Sequence, residues 1–189
     1  EPDLIAVKVP VFSTHKLPDV EISLGPEMKS TGEVLGIGKT YAEALYKGFI
    51  AAKNAPTNEL PTLLMTLNDE EKALLNLEDC PNNYTYIATR GTSLRLKELG
   101  IPAKTVNKIG KESPNVLDVI KDGLVDLIIN APTIGDDSSR DGFTMRRMAA
   151  ERNIPVYTSM DTFRAWRYCR SVIRRSSDTS VYLYSEACK

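Results

Sequence analysis

The chain has little of several features that would declare a function outright. Its three cysteines, Cys80, Cys169 and Cys188, are odd in number and far apart. That spacing fits neither a disulfide framework nor a zinc site built on paired CxxC motifs, so a reducing, cytoplasmic setting is expected. The single histidine, His15, sits in a loop-like leader and is expected at the surface rather than as a general base. Neither sign of charge dominates: 24 Lys and Arg against 25 Asp and Glu leave a net charge of −1. This removes any global electrostatic case for nucleic acid or a membrane surface as partner. No apolar run approaches the roughly 20 residues that cross a bilayer, and Glu1-Pro2-Asp3 lacks the basic-then-apolar order of a signal peptide. An apolar fraction of 42% beside 26% charged residues argues against disorder of the whole chain and allows a sizeable core.

What is present falls into stretches of different texture. The run Leu4-Ile-Ala-Val-Lys-Val-Pro-Val-Phe12 reads as a strand and, with no initiator methionine, predicts a piece cut from something larger. A loop rich in Gly, Pro and charge follows. Thr40-Tyr-Ala-Glu43 then predicts a capping box, a hydroxyl at the N-cap with a carboxylate three residues on, and Leu45 and Phe49 continue an apolar face to about Ala52. Two prolines and several polar residues without periodicity make 54–61 a linker. The organisation expected is a first segment 1–53, the linker 54–61, a main domain 62–170 and a tail 171–189.

From Thr62 onward, strand-like runs alternate with helical patterns. The strands expected are Leu63–Leu67, Tyr84–Ala88, Ala103–Val106, Val125–Asn130 and Ile154–Tyr157. Leu94, Leu96 and Leu99 mark a helix ending at Gly100. Ser113-Pro114 reads as an N-cap with proline at the first helical position, opening a helix through Val116, Leu117, Val119 and Ile120 to Gly123. Five strands with intervening helices predict an α/β, Rossmann-like parallel sheet with helices on both faces.

Open parallel sheets bind ligands in the crevice beyond the carboxyl ends of their strands. The candidates there are Thr66 and Lys72 after the first strand, Thr89-Arg-Gly-Thr92 after the second, Lys108 after the third, and Asn130 with Thr133 after the fourth. Hydroxyls, and backbone N–H groups at a helix start placed at Thr92, suit phosphate or carboxylate oxygens, with lysine as a point charge. Asn130 can donate and accept, and so can read a sugar hydroxyl or a base edge. Taken singly, the threonines read as helix caps and the lysines as solvated. Their convergence at the strand ends favours a site. Gly36-Ile-Gly38-Lys39-Thr40 is not a P-loop, because GxxxxGKT spacing would need a glycine at Glu33, and Gly32 is one residue too far. Those glycines are expected to allow a turn into the following helix.

Val7-Lys-Val-Pro-Val-Phe12, Leu24-Gly-Pro-Glu-Met-Lys-Ser-Thr-Gly-Glu-Val34 and Gly36–Ala44 closely resemble the end of the second ATP-grasp unit of carbamoyl-phosphate synthase. Ala88-Thr-Arg-Gly-Thr92, Gly100-Ile-Pro102, Val106-Asn-Lys108, Asp126–Asn130 and Arg146-Arg147 resemble the methylglyoxal-synthase-like allosteric domain of the same large subunit. The resemblance implies an enzyme that makes carbamoyl phosphate from bicarbonate, glutamine-derived ammonia and ATP, for pyrimidine and arginine biosynthesis. It implies as partners the rest of the large subunit and a glutaminase subunit or domain. ATP and Mg (or Mn) are implied for the full-length enzyme only, because the family's metal-binding carboxylates lie upstream of this chain, and no cofactor is expected here. As effector it implies UMP or IMP at Lys72, Thr89, Thr92, Lys108 and Asn130, with Thr66 in place of a family serine and Pro132 where a threonine can occur.

Departures from the family weigh on the choice of effector. Val156-Tyr-Thr158 stands where relatives carry Tyr-Asp-Thr, which argues against ornithine. Lys108 stands where the enzymes that respond to N-acetylglutamate tend to have tryptophan. A methylglyoxal-synthase activity would need a catalytic aspartate where this chain reads Lys111-Glu-Ser-Pro-Asn115, leaving only Glu112 as a substitute base. Arg164, Arg167, Arg170 and Arg174 recur at helical spacing beside Trp166 and Tyr168, either as a solvated helix face or as an interaction element.

Overall fold

In Thr62–Thr66 (β3) and Leu127–Asn130 (β6), consecutive residues rather than alternate ones are apolar, and β6 is buried along its length and β3 at its three central residues. Burial on both faces is the mark of a central parallel strand. The computed structural model describes residues 4–11, 30–131 and 139–173 and divides them into two units. His15, Thr133, Arg174 and Cys188 lie outside the described residues.

The larger unit contains one five-stranded sheet. With Thr85–Thr89 (β4), Ala103–Val106 (β5) and Val156–Tyr157 (β7), its strand order is β5-β4-β3-β6-β7, and every neighbouring pair is parallel. Helices Asp69–Leu74 (α2), Arg90–Glu98 (α3), Val116–Lys121 (α4) and Ser139–Glu151 (α5) connect and flank the strands. Leu64, Ile87 and Ile128 from the sheet pack with Val116, Val119 and Ile120 of α4 and Met145 and Ala149 of α5. Gly100 and Gly123 follow the C-caps of α3 and α4 with φ of +77° and +67°, a conformation that costs glycine nothing.

Two helix starts differ from the sequence reading. The first is α3, which begins at Arg90 with Thr89 at its N-cap, two residues before the expected start at Thr92. The second is α4, capped by Asn115 rather than Ser113. Asn115 Oδ1 accepts the N–H groups of Leu117 and Asp118 at 2.9 and 3.3 Å, while the Asp118 carboxylate accepts the Asn115 N–H at 2.9 Å. Pro114 does not start the helix because its carbonyl accepts the Asn107 N–H at 3.0 Å, and the Val116 N–H is given to the Asn107 carbonyl at 3.0 Å.

The smaller unit pairs Ile5–Val11 (β1) antiparallel with Gly32–Gly38 (β2) and adds Tyr41–Ala51 (α1). Gly36 and Gly38 lie within β2, not in a turn, and both are needed for close approach. A Cβ on Gly36 would overlap the Ala44 carbonyl oxygen and sit 2.6 Å from the Gly48 nitrogen, and one on Gly38 would sit 2.7 Å from the Ala44 nitrogen. The capping box is half formed. Thr40 Oγ1 accepts the Glu43 N–H at 3.2 Å, but the Glu43 carboxylate accepts from Lys39, one residue before the N-cap.

A final helix, Met160–Val172 (α6), follows β7, and from Phe163 the chain belongs to the smaller unit, so the expected boundary at 170 falls earlier. Trp166 stacks on Tyr46 with centroids 5.7 Å apart and meets Phe49 edge-on at 5.6 Å, while the Arg170 guanidinium lies 6.0 Å over the Trp166 ring. Arg164, Arg167 and Arg170 are all partly buried, so this stripe is not the solvated basic face that charge spacing alone suggests. No helix among the described residues is long and apolar enough to cross a membrane.

Candidate anion-binding site

The strand order creates a divide at the carboxyl end of β3. From β3 the chain moves to β4 and β5 on one side, then crosses to β6 and β7 on the other, so the ends of β3 and β6 stand side by side with Thr66 level with Asn130. Such a switch point is where doubly wound sheets place ligands. A cavity of about 150 Å³ opens there, lined by Thr66, Asn68, Thr89, Lys108, Asn130, Asp141, Gly142 and Arg146 over apolar walls from Leu67, Ile109, Val116 and Met145. Its volume is below the roughly 300 Å³ at which drug-sized sites begin. It suits a head group the size of phosphate.

Four of the seven residues expected from sequence, Thr66, Thr89, Lys108 and Asn130, line this cavity. Thr89 is the N-cap of α3, yet its hydroxyl makes no capping bond, and the free N–H groups of the first turn follow it. Lys108 is exposed and has no ion pair among the described residues. Lys72, on α2, does not line the cavity. A Cβ on Gly91 would lie 3.2 Å from the Lys72 ammonium, which places that ammonium against the first turn of α3. Thr92 is fully buried, and its hydroxyl accepts the Leu67 N–H at 3.1 Å, which ties the end of β3 to α3. Thr133 lies outside the described residues.

A cation near a helix N-terminus is unfavourable, because the helix dipole already makes that end positive. Asp69 supplies the compensating charge. Its carboxylate pairs with Lys72 at 2.5 Å, and the Lys72 hydrogen bond and charge, with a smaller pull from Lys108, hold that carboxyl below its ordinary value of 3.8. Arg95 holds α2 in place by donating from Nε to the Lys72 carbonyl at 3.0 Å and from Nη2 to the Leu75 carbonyl at 2.9 Å. An anion at the start of α3 would meet the Lys72 ammonium and a helix N-terminus, with the Thr89 hydroxyl and Lys108 lining the cavity alongside.

Sequence reasoning missed the roles of Arg146, Gly142, Asp141 and Asn68. Arg146 is 3% exposed at the cavity floor, and its Nη1 donates to Asn130 Oδ1 at 2.6 Å. The usable signal was a cation beside the apolar positions Met145 and Ala149 of an amphipathic helix, one glycine four residues upstream. Glu112 is exposed and does not line the cavity.

With this geometry in place, residues 75–158 match the family model of the MGS-like domain. The chain carries an MGS-like domain. The match contains Thr89, Lys108, Asn130 and Arg146, while Thr66 and Lys72 come from the same sheet unit just upstream. The segment is also similar to proteins named carbamoyl phosphate synthase large chain. It is 54% identical over 168 residues to the one from Clostridium beijerinckii (strain ATCC 51743 / NCIMB 8052), 57% to that of Clostridium botulinum (strain Loch Maree / Type A3) and 53% to that of Clostridium perfringens (strain 13 / Type A). In each case the alignment covers 87% of this chain and 16% of the relative. The part held in common is therefore this MGS-like domain together with most of its flanking sequence.

Proposed function

We propose that the MGS-like domain is an allosteric effector site of a carbamoyl phosphate synthase large chain and binds a phosphorylated metabolite such as UMP or IMP. The observation that carries this reading is the convergence of Lys108, Thr66, Thr89 and the start of α3 at one switch-point cavity, with the Lys72 ammonium against the first turn of that helix. Lysine charge and helix N–H groups match phosphate oxygens, and a cavity of about 150 Å³ takes the phosphate while a nucleoside would extend over its mouth. Effector binding would shift the enzyme between two states by favouring one of them. The reaction controlled would be ATP-dependent synthesis of carbamoyl phosphate from glutamine and bicarbonate, with the rest of the large chain and a glutaminase as partners in the cytoplasm. Among the described residues no three acidic, histidine or cysteine side chains cluster as metal ligands. The proposed site draws its charge from lysine and arginine.

Titration calorimetry with UMP, IMP, ornithine and N-acetylglutamate tests the reading. Binding of the two nucleotides is the expected result, and binding of none overturns it. The second reading, a methylglyoxal-synthase-type lyase, gains one observation, the exposed Asp141 carboxylate at the cavity wall. Formation of methylglyoxal from dihydroxyacetone phosphate would establish that reading.

A further inference from the structure

Strand β5 ends level with Thr89, because Val106 pairs with Thr89 at the last rung of its ladder with β4. The chain beyond, from Asn107 to Pro114, is exposed except for half-buried Ile109, yet it carries two residues of the cavity wall, Lys108 and Ile109. An exposed loop is ordinarily mobile. This one is bonded to itself throughout. At its base the Asn107 N–H donates to the Pro114 carbonyl and the Val116 N–H to the Asn107 carbonyl, each at 3.0 Å. Those partners flank Asn115, the N-cap of α4, and α4 is sunk in the core through Val116, Val119 and Ile120. Further along, the Lys111 N–H donates to the Lys108 carbonyl at 3.2 Å and closes a turn. Gly110 stands third in that turn with φ of +77°, where a type II turn calls for glycine. Two asparagine side chains cross the span that is left. Asn107 Nδ2 donates to the Glu112 carbonyl at 2.9 Å, and Asn115 Nδ2 to the Lys111 carbonyl at 3.4 Å.

We propose that Asn107 is a positioning residue for the anion site: by holding the loop 107–115 closed, it fixes the point from which Lys108 reaches the cavity before a phosphate arrives. The inference rests on the effector reading above and deepens it by naming a residue that sets the strength of the phosphate contact. Asn107 does not itself line the cavity, so its effect passes through its neighbours.

The lysine needs this support because nothing else holds it. Its side chain is exposed and has no ion pair among the described residues, which leaves the backbone beneath it as the part that the fold controls. Ordering a binding group in advance lowers the entropy cost of association, and it tightens binding without adding a contact. On an open loop, the ligand would have to order the lysine and its backbone together. The adjoining Ile109 packs against the core cluster, which keeps the closed loop seated at the cavity wall.

The test is a double-mutant cycle, because a bond that merely steadies the fold acts alike whether or not a lysine stands at position 108. UMP, inorganic phosphate and uridine are titrated calorimetrically into the full chain as wild type, Asn107→Ala, Lys108→Gln and the double variant. Asn107→Ala should weaken UMP and phosphate about 3- to 10-fold, the effect of one neutral hydrogen bond, and leave uridine unchanged. In the Lys108→Gln background the same substitution should cost less than about twofold. Gly110→Ala opens the turn by a second route, since its added Cβ meets nothing within 4 Å but its φ of +77° disfavours any side chain. It should show the same dependence on Lys108. If the wild type binds UMP and Asn107→Ala loses nothing, or loses as much without Lys108 as with it, the positioning role is refuted and the effector reading stands. If the wild type binds neither UMP nor phosphate, the effector reading itself fails and this inference fails with it.

Discussion

Replacing Lys108 with glutamate should weaken binding of phosphate-bearing ligands and leave their dephosphorylated counterparts alone. Lys108 is exposed, so its interaction with a bound phosphate is screened. A unit charge about 4 Å from another contributes on the order of 1 kcal/mol in water, and a phosphoryl group near −2 about twice that. Removing the charge, as in Lys108→Gln, should therefore cost about 1–2 kcal/mol, or roughly 5- to 30-fold in affinity. Reversing it in Lys108→Glu doubles the change, to roughly 30- to 1,000-fold. Lys108 is the cleaner probe of the two lysines, since it has no ion pair among the described residues, whereas Lys72 is engaged with Asp69. Calorimetry with UMP and with uridine, from low to physiological salt, separates charge from packing. Uridine affinity should be unchanged, and the loss for UMP should shrink as salt rises. If Lys108→Glu binds UMP within threefold of wild type at low salt, the cavity is not the phosphate site.

Other consequences can be measured on the same protein. Gly36→Ala should destabilise the smaller unit by about 1–3 kcal/mol in denaturant, because the added Cβ meets backbone atoms of α1 that cannot rotate aside. A value within about 0.5 kcal/mol of wild type would mean that α1 is free to move away. The Asp118 carboxyl is held below its ordinary value of 3.8, first by the Asn115 backbone N–H and then by the Ser113 hydroxyl. Its contribution to stability is thus complete above that value and is lost as pH falls through the lower, folded one, so Asp118→Asn should flatten the loss of stability on acidification below pH ~4. Burial pushes the Cys169 thiol up to about 11, and Cys80 is buried as well. At pH 8 roughly one Cys169 thiol in a thousand would be ionised. A Cys188→Ser variant should accordingly resist thiol reagents until it is unfolded.

Much of the larger unit was legible in the sequence, because parallel strands buried on both faces announce themselves as short apolar runs and the helices between them end at Gly100 and Gly123. The strand-end rule also named Thr66, Thr89, Lys108 and Asn130 before any coordinates. Less legible were features that depend on partners distant in the chain. Thr92 looked like a ligand, but its hydroxyl is committed to the Leu67 N–H, 25 residues away. Helix α4 starts at Asn115 because Asn107 engages the backbone on either side of it, which local capping rules do not foresee. Arg146 was noted only as part of the family pattern, because its role depends on Asn130, sixteen residues earlier, on the adjoining strand. Gly36 and Gly38 read as turn residues until the helix they admit was seen to lie on them.

The Trp166 contacts with Tyr46 and Phe49 set an order of events during synthesis. The strands and helix of the smaller unit are made first, but the aromatic ring that stacks on α1 is translated about 120 residues after Phe49, roughly 6–24 s later at usual elongation rates. Throughout that interval the apolar face of α1 lacks its indole, while the parallel sheet of the larger unit emerges complete. Newly made chains stalled before Trp166 should therefore offer that face to chaperones, and chains stalled after it should not.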